Sequence, residues 1–126
     1  MFRKIFALLL IASSTTASAQ DVMHKEKDGT YVINTTTLAD DVDGYAGPTP
    51  VEVHIKKNKI VKVVVLKSQE GPKYTARVKK EMMPKYDGMN IKKGVKQVDA
   101  VTGATFTSKA IQENIARAVA YYQKNK

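Results

Sequence analysis

The sequence predicts an α+β domain in which a small antiparallel sheet packs against two helices, with a hydroxyl-dense turn at the N-terminus of the C-terminal helix. Three observations predict it. Val51, Val53 and Ile55 alternate with Glu52, His54 and Lys56, and a second β-branched run, Ile60 to Leu66, follows the turn Lys57-Asn58-Lys59, which is the pattern of a half-buried hairpin. From Ile111 the apolar residues Ile115, Ala118, Val119 and Tyr122 recur at i+4, i+7, i+8 and i+11, the period of a helix with one buried face. Between these, Gly71-Pro72 opens a shorter helical pattern, with Tyr74, Val78 and Met82 at i, i+4 and i+8.

Taken in order, residues 1–19 read as a secretory signal. Arg3 and Lys4 are its basic start, Ile5 to Ala12 its apolar core, and Ala17-Ser18-Ala19 a small-residue cleavage site before Gln20. The apolar run is far shorter than the ~20 residues that span a bilayer. The expected product is a chain released into the periplasm or another extracytoplasmic space. Removing the first 19 of 126 residues leaves 107, and losing Arg3 and Lys4 lowers the net charge from +9 to +7. The absence of cysteine removes disulfides, thiolate metal sites and thiol nucleophiles from consideration. The many lysines are dispersed rather than interleaved with aromatics, which argues for solvated faces and against nucleic acid as a partner.

Residues 20–29 are polar and expected to be a flexible N-terminal segment ahead of a domain over residues 30–124. Thr30 to Thr37 is rich in β-branched residues and predicts the first strand. Asp40, Asp41 and Asp43 follow, without the twelve-residue pattern of a calcium loop. The next stretch, Gly44-Tyr45-Ala46-Gly47-Pro48, is a stiff turn. Its Tyr45 reads either as a corner aromatic or as a face presented to a flat ligand. The last half of Ile60 to Leu66 is apolar on both sides, so a helix is expected to cover it. The helix opened by Pro72 should run to Met83 and end at Pro84. Lys96 to Val101 is expected as a short fourth strand, giving the order β-β-β-α-β-α.

That strand would lead into Asp99-Ala100-Val101-Thr102-Gly103-Ala104-Thr105-Phe106-Thr107-Ser108. Hydroxyl and carboxyl side chains before a helix ordinarily cap its first N–H groups. The same position also suits an anion, because the unpaired N–H groups and the positive end of the helix dipole converge there. Four hydroxyls where one cap would do favour the second reading.

Asp99, Thr102, Gly103, Ala104 and Thr105 also match a D-x-x-(S/T)-G-A-T signature. By it the chain resembles the FMN-binding domain family, to which the flavin-carrying C subunit of the sodium-pumping NADH:quinone reductase and the G subunit of the Rnf complex belong. The likeness extends over roughly residues 28–124, with the Gly44–Pro48 turn and the paired strands in the expected order. The resemblance implies that Thr105 carries FMN through a phosphoester, attached by a Mg-dependent FAD:protein FMN transferase with FAD as donor. It further implies that Tyr45 lies near the flavin ring. With a phosphate there, Thr102, Thr107 and Ser108 would offer hydroxyls to its oxygens beside the backbone of Gly103 and Ala104. Asp99, repelled by a phosphodiester, would cap backbone or be recognised by the transferase. No G-x-G-x-x-G motif is present, so electrons are expected to come from and go to membrane or envelope redox proteins rather than a nicotinamide. The alternatives are a reversible FMN binder of the same fold and a cofactor-free envelope adaptor.

Overall fold

A computed structural model describes residues 22–126; the expected signal segment, residues 1–19, lies outside them. Four strands form one antiparallel meander in chain order: β1 (Met23–Lys25), β2 (Tyr31–Asn34), β3 (Val51–Lys56) and β4 (Lys59–Val65). Two helices follow, α1 (Pro72–Glu81) and α2 (Thr105–Asn125), with a short 3-10 turn at Met83–Tyr86 between them. The α+β class and the packing of sheet on helix are as the sequence predicts.

The inner face of the sheet carries Ile33, Val51, Val53, Ile55 and Ile60. All are buried in one core with Ile111, Ile115, Ala118, Val119 and Tyr122 from α2 and with Val78 and Met82 from α1. The apolar stripe predicted on α2 is therefore its buried face. Tyr31 closes one end of this core edge-to-face on Tyr122, ring centroids 5.2 Å apart.

In the β3–β4 hairpin, Ile55 pairs with Ile60 but His54 pairs with Lys62, so Val61 is an extra residue and forms a bulge. The bulge rephases the strand. Ile60 faces the core before it, and Val63 and Val65 sit opposite Val53 and Val51 after it. Val63 and Val65 pack partly against the core that Val78 and Met82 help to form, while Val61 and Val64 remain exposed, so the expected cover reaches only the inner side of the end of β4. On the outer face His54 is paired with Glu52, Nε2 to Oε1 3.0 Å.

Other differences have local causes. Residues 23–25, within the stretch expected to be flexible, form β1, because the ladder to Tyr31–Ile33 supplies the order that their polar sequence does not. The expected strand Lys96–Val101 does not form. Its backbone groups are taken by side chains: Gln112 Nε2 donates to the Val98 carbonyl (2.5 Å), and the Val101 N–H donates to the Ser108 hydroxyl (3.0 Å). Pro84 does not merely stop α1. It sits in the first turn of the 3-10 segment, where its missing N–H costs nothing.

That 3-10 turn buries Tyr86, and burial pushes its phenol from the usual 10.0 up to about 12. The unfolded chain ionises first as pH rises, so the contribution to stability is complete below pH 10 and is lost between 10 and about 12. Chemical denaturation across that interval should show a falling midpoint in the native chain and a flatter dependence in Tyr86→Phe.

Candidate functional site

The loop between β2 and β3, residues 35–50, is long, and α2 holds it in place. At its base the Asn114 amide donates to the Ala110 carbonyl (2.8 Å) and to Thr49 Oγ1 (3.3 Å), while its oxygen accepts from the Thr35 hydroxyl. Arg117 donates to the Leu38 carbonyl (3.0 Å) and forks onto both Asp41 oxygens. That bidentate pair holds the Asp41 carboxyl below the usual carboxylate range. The tip, Gly44 to Pro48, closes through Gly44 N–H to the Gly47 carbonyl (2.7 Å).

The tip meets the N-terminal turn of α2. Gly103 adopts φ +87°, a left-handed conformation that lets the chain reverse into the helix. Ala104 occupies the N-cap, so no side chain caps α2. Ser108 N–H makes the first intrahelical bond, to the Ala104 carbonyl at 2.9 Å. The N–H groups of Thr105, Phe106 and Thr107 precede it and have no partner within the helix. Thr105 is the first helical residue and is exposed, as are Asp99, Thr102 and Gly103. The capping explanation of this hydroxyl-rich turn therefore fails, for Asp99 as for the threonines.

The other two hydroxyls are turned inward. Ser108 is fully buried and accepts the Val101 N–H, and Thr107, also buried, donates to Glu70 Oε1 at 2.6 Å. The expectation that both serve a phosphate is corrected. Their bonds shape the turn from beneath, and only Thr102 and Thr105 remain on its surface.

Beside the turn lies an open cleft of about 160 Å³, lined by Gly103, Ala104, Thr105 and Thr107 and by the rings of Tyr45, Tyr74 and Phe106. Tyr45 is 73% exposed and Phe106 68%, so Tyr45 is not a packed corner aromatic. Its ring centroid is 6.4 Å from that of Tyr74 and 6.5 Å from that of Phe106, with the planes tilted rather than stacked. Three aromatic side chains thus border the uncapped helix end.

Arg77, one turn after Tyr74 on α1, brings a guanidinium to the same place, since a Cβ on Gly103 would lie 2.8 Å from its Nη1, while its Nε donates to Glu81 at 3.2 Å. Gly103→Ala should therefore combine left-handed strain with displacement of the guanidinium. A destabilisation of about 1–2 kcal/mol is expected by denaturant titration.

Four residues of this site escape a reading of the sequence: Glu70, Tyr74, Arg77 and Phe106. Tyr74 fits the apolar spacing of α1 and so looks like core. Phe106 carries a usable signal, because it lies off the stripe running from Ile111 to Tyr122 and yet is large and apolar.

The profile of the FMN-binding domain matches residues 44–120, from the tip of the long loop to the last turns of α2. Comparison with curated proteins gave no match, and neither did comparison with solved structures.

Proposed function

This chain belongs to the FMN-binding domain family and is an FMN-binding protein, and on that premise we propose that it is an exported electron carrier with FMN joined by a phosphoester to Thr105. One observation carries the reading: an exposed threonine stands first in a helix whose N-terminus no side chain caps, beside a cleft of exposed aromatic rings.

The residues present fit the group. A phosphodiester on Thr105 Oγ1 would add one negative charge where backbone N–H groups are free, a placement typically worth ~0.3–1 kcal/mol from the helix dipole alone. Arg77, paired at Nε with Glu81, brings its Nη1 beside Gly103 as a further donor. Tyr45, Tyr74 and Phe106 offer apolar faces to a flat ring system, and offset contact with such faces is the favoured geometry. Because the cleft is open, the ring would remain close to solvent and to a docking redox protein. The flavin supplies one- or two-electron chemistry when bound, and the protein positions it.

Attachment needs a partner. A threonine hydroxyl is a weak nucleophile, so a Mg-dependent FAD:protein FMN transferase would provide the base that takes its proton and the metal that activates the FAD pyrophosphate. The new bond joins Thr105 Oγ1 to the FMN phosphorus, and the bond to AMP breaks. Exposed Asp99, free of any capping duty, is suited to recognition by that enzyme. Donor and acceptor would be membrane or envelope redox proteins on the far side of the secretory pathway that residues 1–19 imply.

Coexpression with the transferase in a host exporting the chain tests the proposal. The intact mass of the mature protein should rise by one FMN less one water, with yellow in-gel fluorescence surviving denaturation. Flavin lost on denaturation would indicate reversible binding, and a colourless chain of bare mass would end the redox reading.

A further inference from the structure

Glu70 lies in the connection between β4 and α1, immediately before the Gly71-Pro72 pair, and it is only 6% exposed. Its carboxylate spends every short contact on the flavin-site loops. Oε1 accepts the Tyr45 N–H at 2.8 Å and the Thr107 hydroxyl at 2.6 Å, and Oε2 accepts the Ala46 N–H at 2.5 Å. The main chain makes room for it: a Cβ on Gly44 would lie 2.3 Å from Oε1. A buried carboxylate must be stabilised by donors, and all three donors here come from two segments that no strand ladder joins.

We infer that Glu70 is a positioning residue for the flavin: it latches the Tyr45 turn to the first turn of α2 and so fixes the gap between the Tyr45 ring and the attachment residue Thr105. The inference rests on the proposed flavin site, and it assigns what sets that site's width. Tyr45 and Ala46 are held by their main chain, so the ring's anchor is fixed while its face stays free. Thr107 is two residues from Thr105, so the latch grips the same helical turn that would carry the phosphoester. The hydroxyl of Thr107, turned away from a phosphate, acquires a role here.

Glu70→Gln is the sharpest probe. The amide keeps one acceptor oxygen but sets an NH₂ group against one of the donors, so the latch is broken without loss of volume. Thr107→Val removes one donor at constant shape, and Thr107→Ser restores it. In the flavin-free chain, amide hydrogen exchange at Tyr45 and Ala46 should become at least about tenfold faster in Glu70→Gln, as expected for loss of a charge-assisted bond, and faster than native in Thr107→Val, where the carboxylate is no longer held to α2, with return to the native rate in Thr107→Ser. Exchange at Ile111 and Ile115 should stay unchanged. In the flavinylated chain, mass should show the flavin still attached, while flavin fluorescence and visible circular dichroism change in Glu70→Gln and Thr107→Val and return to native values in Thr107→Ser.

Native exchange at Tyr45 and Ala46 in both Glu70→Gln and Thr107→Val would overturn the latch. Native flavin spectra in both variants would overturn its positioning role. A native chain that never acquires flavin would count against the flavin reading of the site, and the exchange measurement would still decide the latch by itself. Should Glu70→Gln fail to fold, the Thr107→Val and Thr107→Ser pair carries both measurements.

Discussion

Thr105→Ala is expected to yield a chain of bare calculated mass that is dark in a denaturing fluorescent gel, under conditions where the native chain is fully flavinylated. The effect is all-or-none because the oxygen of that side chain is the atom proposed to attack FAD; no neighbouring group can substitute for it by electrostatics. Thr107 and Ser108 are buried and occupied by their own hydrogen bonds, so they offer no second acceptor. Exposed Thr102 is the remaining hydroxyl of the turn, and flavin that persists in Thr105→Ala but disappears in the double variant with Thr102→Ala would move the attachment there. Thr105→Ser should still be modified. Stability should differ from native by less than about 0.5 kcal/mol in Thr105→Ala, since the side chain is exposed and alanine is the better helix former. Equal denaturation midpoints for the two chains would therefore separate loss of chemistry from loss of fold.

Gly44→Ala should produce the largest loss of stability among the glycine changes. The new methyl would stand 2.3 Å from Glu70 Oε1 and 3.0 Å from Thr49 Cγ2, against partners that are themselves buried. The carboxylate is the softer of the two. Its displacement, however, breaks bonds to Tyr45 N–H, Ala46 N–H and the Thr107 hydroxyl together and leaves a charge with fewer donors. Loss of charge-assisted bonds on this scale costs about 2–4 kcal/mol, a large share of the stability of a domain this size. A lowered denaturation midpoint at unchanged m-value would confirm it; a shift under 0.5 kcal/mol would mean that the tip simply moves aside. Gly103→Ala should cost less, since it meets the far end of a half-exposed arginine.

The parts of this molecule that were legible in its sequence are those where one physical rule dominates. The alternation of Val51 to Lys56 and the stripe on α2 follow from a single buried face each, and both appear as predicted. β1 was illegible because Met23-His24-Lys25 has no pattern of its own and takes its extended form from the β2 ladder. The supposed strand at Lys96–Val101 failed for the opposite reason: its two valines suggest a strand, but Gln112 and Ser108 reach its backbone first. Val61 reads as one more valine of a strand until pairing makes it the extra residue.

At the site, the placement of the turn from Asp99 to Ser108 at a helix start was legible, while the exposure of the Tyr45 ring beside it was one of two open readings. Which hydroxyls face outward was not legible, because Thr107 is drawn inward by Glu70, 37 residues before it in the chain, and Ser108 by the Val101 N–H. A lone acid beside Gly-Pro in a lysine-rich stretch was the available hint.

The bulge at Val61 has a bearing on behaviour at high concentration. A long, flat, unpaired strand edge is a template on which other chains can polymerise. Here the start of β4 is covered by residues 88–91, with Gly88 and Ile91 N–H groups donating to the Ile60 and Asn58 carbonyls. Beyond that cover the strand kinks at Val61 and presents Lys62, while the opposite border of the sheet is three residues long. Among the described residues, the open edge of β4 is thus cut down to Lys62–Val65, short and headed by a lysine, which leaves a second copy little straight ladder to extend despite the exposed valines.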